Sequence, residues 1–155
     1  MPGANNYSVY FDGTGDYLSV PTNAAFSIGT GDYTVETWLY LTGSAANMTF
    51  FGGGVVGTPV FNIGLTRTTI SINPYGTGPV NGTQGCVQSF NFNLNTWYHV
   101  AITRASGTTK IFLNGTQLGT NVNDPYGYVQ GAMGIGATQD NIQPFTGYIL
   151  SLIHI

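Results

Sequence analysis

Glu36 is the only glutamate in the chain, which decides how much carboxylate chemistry the sequence can support. Retaining glycoside hydrolysis needs two carboxyl groups about 5–5.5 Å apart, one of them kept protonated. The nearest acid to Glu36 is Asp32, four residues earlier, at the entrance of the same expected strand and not beside it on one face. Glu36 is therefore expected to be a strand residue bonded to a neighbour or facing a groove. His99 is the one credible general base for a Ser–His–Asp arrangement, but it sits in mid-strand, where a structural hydrogen bond is the expected role. The lone Cys86 is expected to be a small, half-buried side chain. A zinc site needs three or four ligands at metal spacing, and one Cys with one well-placed His cannot supply them. No catalytic residue is expected, so the chain is not expected to be an enzyme.

Calcium suits the sequence better, because hard cations take oxygen ligands from carboxylates, amides and backbone. Asp12 and Asp16 stand four apart across a Gly-rich turn and could face one ion. Asp140, beside Asn141, would join them if the first and last strands are neighbours. The competing expectation is that Asp12 and Asp16 cap the turn through their own hydrogen bonds. Recognition of a neutral ligand would draw on aromatic faces and amide groups. The loop containing Asn121, Asn123, Tyr126 and Tyr128 has that mixture, as does the Asn73–Gly76 stretch with Tyr75. Each of these tyrosines could instead fold over its own turn. Three N-x-T triplets, at Asn47, Asn81 and Asn114, are read as products of an Asn- and Thr-rich composition.

Composition narrows the rest. Of 155 residues, three are Lys or Arg and six are Asp or Glu, whereas a soluble domain is ordinarily about 25% charged. Exposed helices and coiled coils take their surfaces from Glu, Lys and Arg, so a helical fold is excluded. Three scattered cations at net charge −3 cannot neutralise a phosphate backbone, and no nucleic-acid partner is expected. No apolar run approaches the about 18 residues of a spanning helix, so membrane insertion is not expected. The first six residues lack the cationic and apolar regions of a signal peptide. A surface built from Thr, Asn, Ser, Gln and Gly points to an all-β domain.

The elements that must position these residues alternate with period two. Strands are expected at Tyr7–Phe11, Asp16–Val20, Asp32–Leu41, Thr49–Val56, Val60–Leu65 and Thr68–Ile72. A meander follows from Trp97 to about Thr120, turning at Ser106-Gly107 and at Asn114-Gly115. The second turn is a two-residue hairpin signal, because both positions need positive φ. Two last strands are expected at Ala132–Ala137 and Phe145–Leu150, and a short helical turn at Asn23–Ser27. Bulk on both faces of Asp32–Leu41 predicts a central strand covered on both sides. Asn73–Gly85, dense in Pro and Gly, is expected to be a loop that regular pairing cannot include. The repeated Gly-Thr-Gly-Asp-Tyr at 13–17 and 29–33 suggests one turn chemistry opening two neighbouring strands.

Three stretches resemble the laminin-G-like branch of the concanavalin A-like lectin/glucanase superfamily. They are Val9–Val20 (VYFDGTGDYLSV), Gly31–Trp38 (GDYTVETW), and Trp97–Arg104 (WYHVAITR) followed by Lys110–Gly115 (KIFLNG). Phe145–Ile149 (FTGYI) extends the resemblance over almost the whole chain. It implies a two-sheet antiparallel jelly-roll sandwich with one concave face. Some relatives bind calcium at a sandwich edge, and enzymes of the superfamily carry a run of closely spaced acids that is missing here. The last six residues, LSLIHI, depart from the family pattern and read like the translation of a transposon end used in sequencing libraries. The expectation is a domain over 1–149 and a non-native tail over 150–155. By this resemblance the chain is expected to be a non-catalytic recognition module for a glycan or other surface polymer. It would be joined to other domains of a longer chain and displayed extracellularly or on a virion. The competing readings are a structural spacer in a fibre or capsid and, further off, an inactive glycoside hydrolase relative.

Overall fold

A computed structural model describes residues 7–43, 46–53, 60–75, 86–129, 131–138 and 141–154. Twelve strands follow in chain order: β1 (Val9–Asp12), β2 (Leu18–Val20), β3 (Tyr33–Leu41), β4 (Met48–Gly53), β5 (Val60–Leu65) and β6 (Thr69–Tyr75), then β7 (Cys86–Ser89), β8 (Trp97–Ala105), β9 (Thr108–Leu113), β10 (Thr116–Asn123), β11 (Met133–Ile135) and β12 (Thr146–His154). They form two six-stranded sheets, ordered β1-β12-β3-β8-β9-β10 and β2-β11-β4-β5-β6-β7. Every pairing is antiparallel. This is the expected jelly-roll sandwich. The helical turn at Ala24–Phe26 is also as read, with the Asn23 side chain accepting the Ala25 N–H.

Alternation places the core. In β3, Tyr33, Val35, Thr37, Leu39 and Leu41 are buried and the residues between them are half-buried. Val100, Ile102 and Ile111 continue that inner face, and Phe61, Ile63, Ile70 and Ile72 meet it from the second sheet. Burying each such side chain contributes about 1.5–3 kcal/mol. The outer residues of β3 (Thr34, Glu36, Trp38 and Tyr40) are half-buried with no further layer over them among the described residues, which corrects the expectation of a strand covered on both sides. Bulk on both faces here marks one core face and one half-open aromatic face.

The turns are partly as read. Asn114 and Gly115 both take positive φ, and so do Ser106 and Gly107, making two tight hairpins in the β8–β9–β10 meander. The loop expected over Asn73–Gly85 does not include its first three residues, since β6 runs on through Tyr75 with Pro74 opposite Phe61; the rest of that stretch, 76–85, lies outside the described residues. Among the described residues β6 pairs with β7 from Thr69 to Ile72. The Gly-Thr-Gly-Asp-Tyr echo opens β2 in one sheet and β3 in the other. The two copies thus serve different turns, not neighbouring strands.

One buried charge ties the end of the sandwich together. Arg104, on β8, is 1% exposed. Its Nε donates to Gly31 O at 2.8 Å, Nη1 to Tyr126 O at 2.8 Å, and Nη2 to Gly29 O at 2.7 Å and Gly31 O at 2.6 Å. The guanidinium lies 3.6 Å from Asp124 Oδ1 and over the rings of both Tyr33 and Tyr128, 4.9 and 5.1 Å from their centroids. Asp124 in turn accepts from Thr109 Oγ1 at 2.7 Å and Tyr128 Oη at 3.0 Å. Removing one partner of a buried pair leaves the other charge uncompensated, at about 3–5 kcal/mol. Arg104→Met is therefore expected to destabilise the domain by about that amount in urea unfolding. Burial, reinforced for Tyr128 by Tyr33 and Asp124, raises both phenol pKa values above the ordinary 10.0. The unfolded chain then ionises first, so the stability these phenols supply is whole below about pH 10 and is lost as pH rises beyond it. Tyr128→Phe is expected to flatten that alkaline limb of the stability profile, read from unfolding midpoints at stepped pH.

Candidate functional site

The residues expected to bind do not form one constellation. Tyr128 is in the core, 2% exposed, and its hydroxyl is spent on Asp124, so it presents no face to a ligand; this corrects its assignment to a binding loop. Tyr126 is half-buried and packs against the core. Asn121 and Asn123 are exposed on β10, an edge strand of the first sheet, where Asn121 Oδ1 accepts from Gln117 Nε2 at 3.0 Å. Tyr75 closes β6 in the other sheet, and its side chain lies outside the described residues. The 121–128 segment owes its shape to Arg104 and Asp124, which a sequence reading of Asn and Tyr content does not reveal.

The remaining reactive groups take structural roles. Glu36 and His99 meet on the outer face of the first sheet, Nε2 to Oε2 3.6 Å. Directly opposite Glu36 stand Ala101 and Ile153, so no second carboxylate faces it across either neighbouring strand. Cys86 is buried rather than half-buried, with Gln88 Nε2 donating to its sulfur at 3.8 Å. Burial pushes its thiol pKa up, away from the thiolate that reactivity needs. No helix among the described residues is long and apolar enough to cross a membrane.

Asp12 and Asp16 form a self-contained turn. Thr14 N donates to Asp12 Oδ1 at 2.6 Å and Asp12 N to Asp16 Oδ2 at 3.4 Å. β1 pairs with β12, so the first and last strands are neighbours, and a Cβ at Gly15 would lie 3.7 Å from the Asn141 amide nitrogen. Asp140 itself lies outside the described residues. Among the described residues no group of three or more His, Cys, Asp or Glu converges on one point.

A cleft opens on the outer face of the second sheet, with a volume of about 200 Å³. Its polar lining comes from Asn47, Asn62, Thr66, Thr69, Ser71 and Gln143, and Leu65 and Val87 supply apolar surface. None of its lining residues is charged. The strands put these groups there by alternation: Asn62 points out between inward Phe61 and Ile63, and Thr69 and Ser71 flank inward Ile70. Thr66 caps the β5–β6 turn, its Oγ1 accepting from the N–H of Thr68 and Thr69 at 3.1 and 3.0 Å. Gln143 is pinned to β4, its O accepting Thr49 N at 2.8 Å and its Oε1 accepting Thr49 Oγ1 at 3.1 Å. Asn62 Oδ1 is buried in this wall without a hydrogen-bond partner. Gly52, opposite Asn62 on β4, leaves it room, since a Cβ there would come within 2.5 Å of that oxygen. A buried carbonyl oxygen left unpaired costs about 1–3 kcal/mol, a cost that a donor reaching Asn62 would remove.

A laminin G family model, described as the concanavalin A-like lectin/glucanases superfamily, matches residues 12–152. The chain belongs to this family. No curated protein matches its sequence. Domains LG4-5 of the mouse laminin α1 chain superpose with a TM-score of 0.72 at 10% identity, over 95% of this chain and 40% of that one. The CBM40 of Ruminococcus gnavus IT-sialidase, bound to α2,3-sialyllactose, gives 0.69 at 15% identity, covering 92% and 85%. Domain 4 of AbnA, an extracellular arabinanase of Geobacillus stearothermophilus, in complex with arabinotriose, gives 0.65 at 21% identity, covering 98% and 71%. At these identities the likeness is one of fold. The laminin G-like chain spans about 40% of the laminin structure it matches.

The Asp12–Asp16 turn is closed by backbone N–H groups donating to its two carboxylates, so its stability is expected to be independent of calcium. The midpoint of thermal unfolding should be the same in calcium and in EDTA; a calcium-dependent rise that Asp16→Asn abolishes would establish an ion there.

Proposed function

We propose that this domain is a non-catalytic carbohydrate-binding module whose ligand lies in the cleft of the second sheet. The observation that carries the reading is the unpaired, buried Asn62 Oδ1 in a wall of uncharged hydroxyl and amide groups. Sugar hydroxyls donate and accept in equal measure and match such a lining. With no cation among the described residues of the wall, the cleft favours neutral sugars over sialylated or uronic ones. Those residues include no carboxylate either, so they do not supply the acid and base of glycoside hydrolysis. The sugar complexes of similarly folded modules support the ligand class. The length of the laminin structure relative to this chain supports a place as one domain of a longer protein, and the proposal extends to its display on a bacterial surface or a virion.

A neutral-glycan array followed by calorimetry tests the reading. Asn62→Ala removes an acceptor that the fold itself leaves unsatisfied, so the unfolding midpoint should not drop. Affinity should fall about tenfold, the equivalent of 1.4 kcal/mol. A well-folded domain that binds no glycan on the array would favour the spacer reading instead.

A further inference from the structure

The outer face of the first sheet carries a second organised feature, remote in the fold from the cleft. Register sets Tyr10 opposite Tyr148, Tyr148 opposite Tyr40, and Tyr40 opposite Trp97. Four aromatic side chains thus stand in one row across β1, β12, β3 and β8. Successive ring centroids are 4.9, 5.8 and 5.2 Å apart, at interplanar angles of 45°, 75° and 51°. Trp38 and His99, 5.1 Å apart, begin a second row beside it. Tilted and edge-on contacts of this kind hold each ring against the next. Among the described residues nothing packs over the row: Tyr10 is 50% exposed and the other three are half-buried.

We propose that this face is a second carbohydrate site, taking a neutral glycan chain laid across the strands with its sugar rings against the aromatic row. The inference shares the ligand class proposed above but not its site. The C–H bonds on one face of a pyranose are weakly positive and meet the negative π face of an aromatic ring. Three of the four rings in the row bear a phenolic hydroxyl, which supplies hydrogen bonds at the rim of the stack. Nucleobases also stack on aromatic rows, but their phosphates require a cationic track. Here the sheet face offers Lys110 against Glu36, in a chain of net charge −3. A second copy of the chain is the other possible occupant. The aliphatic side chains that fill the centre of a protein–protein contact are scarce, however: among the described residues of this face, Ile153 is the exposed one. A neutral, ring-shaped, hydroxylated ligand fits both the charge and the chemistry.

The chain has two tryptophans, Trp38 and Trp97, and both lie on this face and not in the cleft. Intrinsic fluorescence therefore reads this site selectively. The full chain, its Asn62→Ala variant and its Tyr148→Ala variant should be titrated with arabinotriose, xylohexaose, cellohexaose and laminarihexaose. Fluorescence and calorimetry are followed together, and folding is checked by circular dichroism. Tyr10→Ala, at the exposed end of the row, carries the test if Tyr148→Ala misfolds. The expected result is a saturable change in tryptophan emission that survives Asn62→Ala and weakens at least tenfold in the tyrosine variant. Calorimetric binding without any tryptophan change, or a change abolished by Asn62→Ala, would leave the cleft as the site and overturn this proposal. Binding that Asn62→Ala does not alter would overturn the cleft reading while sparing this one. An emission shift that tracks protein concentration without sugar, with a dimer in light scattering, would assign the face to a second copy and overturn it. Absence of binding to all four sugars overturns it as well.

Discussion

Arg104 is the residue on which one end of the sandwich is built. A guanidinium cannot shed its charge, so a buried one must have its donors accepted or cost several kcal/mol. The carbonyls that accept them, at Gly29, Gly31 and Tyr126, belong to two segments far apart in the chain. The approach to β3 and the run between β10 and β11 are thereby locked to the first strand of the meander. The rings of Tyr33 and Tyr128, set edge to face against each other, both pack on the cation, and Asp124 balances it. Because Asp124 also takes the hydroxyls of Thr109 and Tyr128, both charges of this cluster have defined partners. The 121–128 segment, rich in groups that could bind a ligand, is for this reason largely a structural brace.

With that end secured, alternation along the strands leaves two outward faces of different chemistry. The second sheet shows hydroxyls and amides around a cleft, with glycines where side chains would fill it. The first sheet shows rings, in register across four strands. Neither face carries more than a few charges, because the chain has so few to place. Low charge therefore suits the neutral, hydrogen-bonding ligand proposed for the cleft, and on the two proposals the faces would divide hydrogen bonding from stacking.

Much of the fold was legible in the sequence. Period-two alternation marks β3, β8 and β9 clearly, because each has one largely apolar face. Asn114-Gly115 announces its hairpin, because positive φ at two successive positions leaves few other choices. Pro74 misleads, since the cost of a proline depends on whether a partner strand lies alongside, which is not local information. Tyr128 misleads for the same reason: a tyrosine beside Asn, Asp and Pro reads as a loop side chain until a buried arginine is found beneath it.

What the sequence by itself determined is the class of the molecule: all-β, neutral-surfaced, without paired carboxylates or metal-spaced ligands, and laminin-G-like in its motifs. Those properties rest on residue types and on spacings of a few residues. The sites rest on register instead. Asn62 matters because Gly52 lies across from it and leaves its oxygen unpaired. Tyr10, Tyr148, Tyr40 and Trp97 matter because four strands drawn from the start, the end and the middle of the chain align them. Strand order and register are set by the packing of the whole core, so only the tertiary structure could decide which ordinary Asn, Tyr and Trp residues stand together.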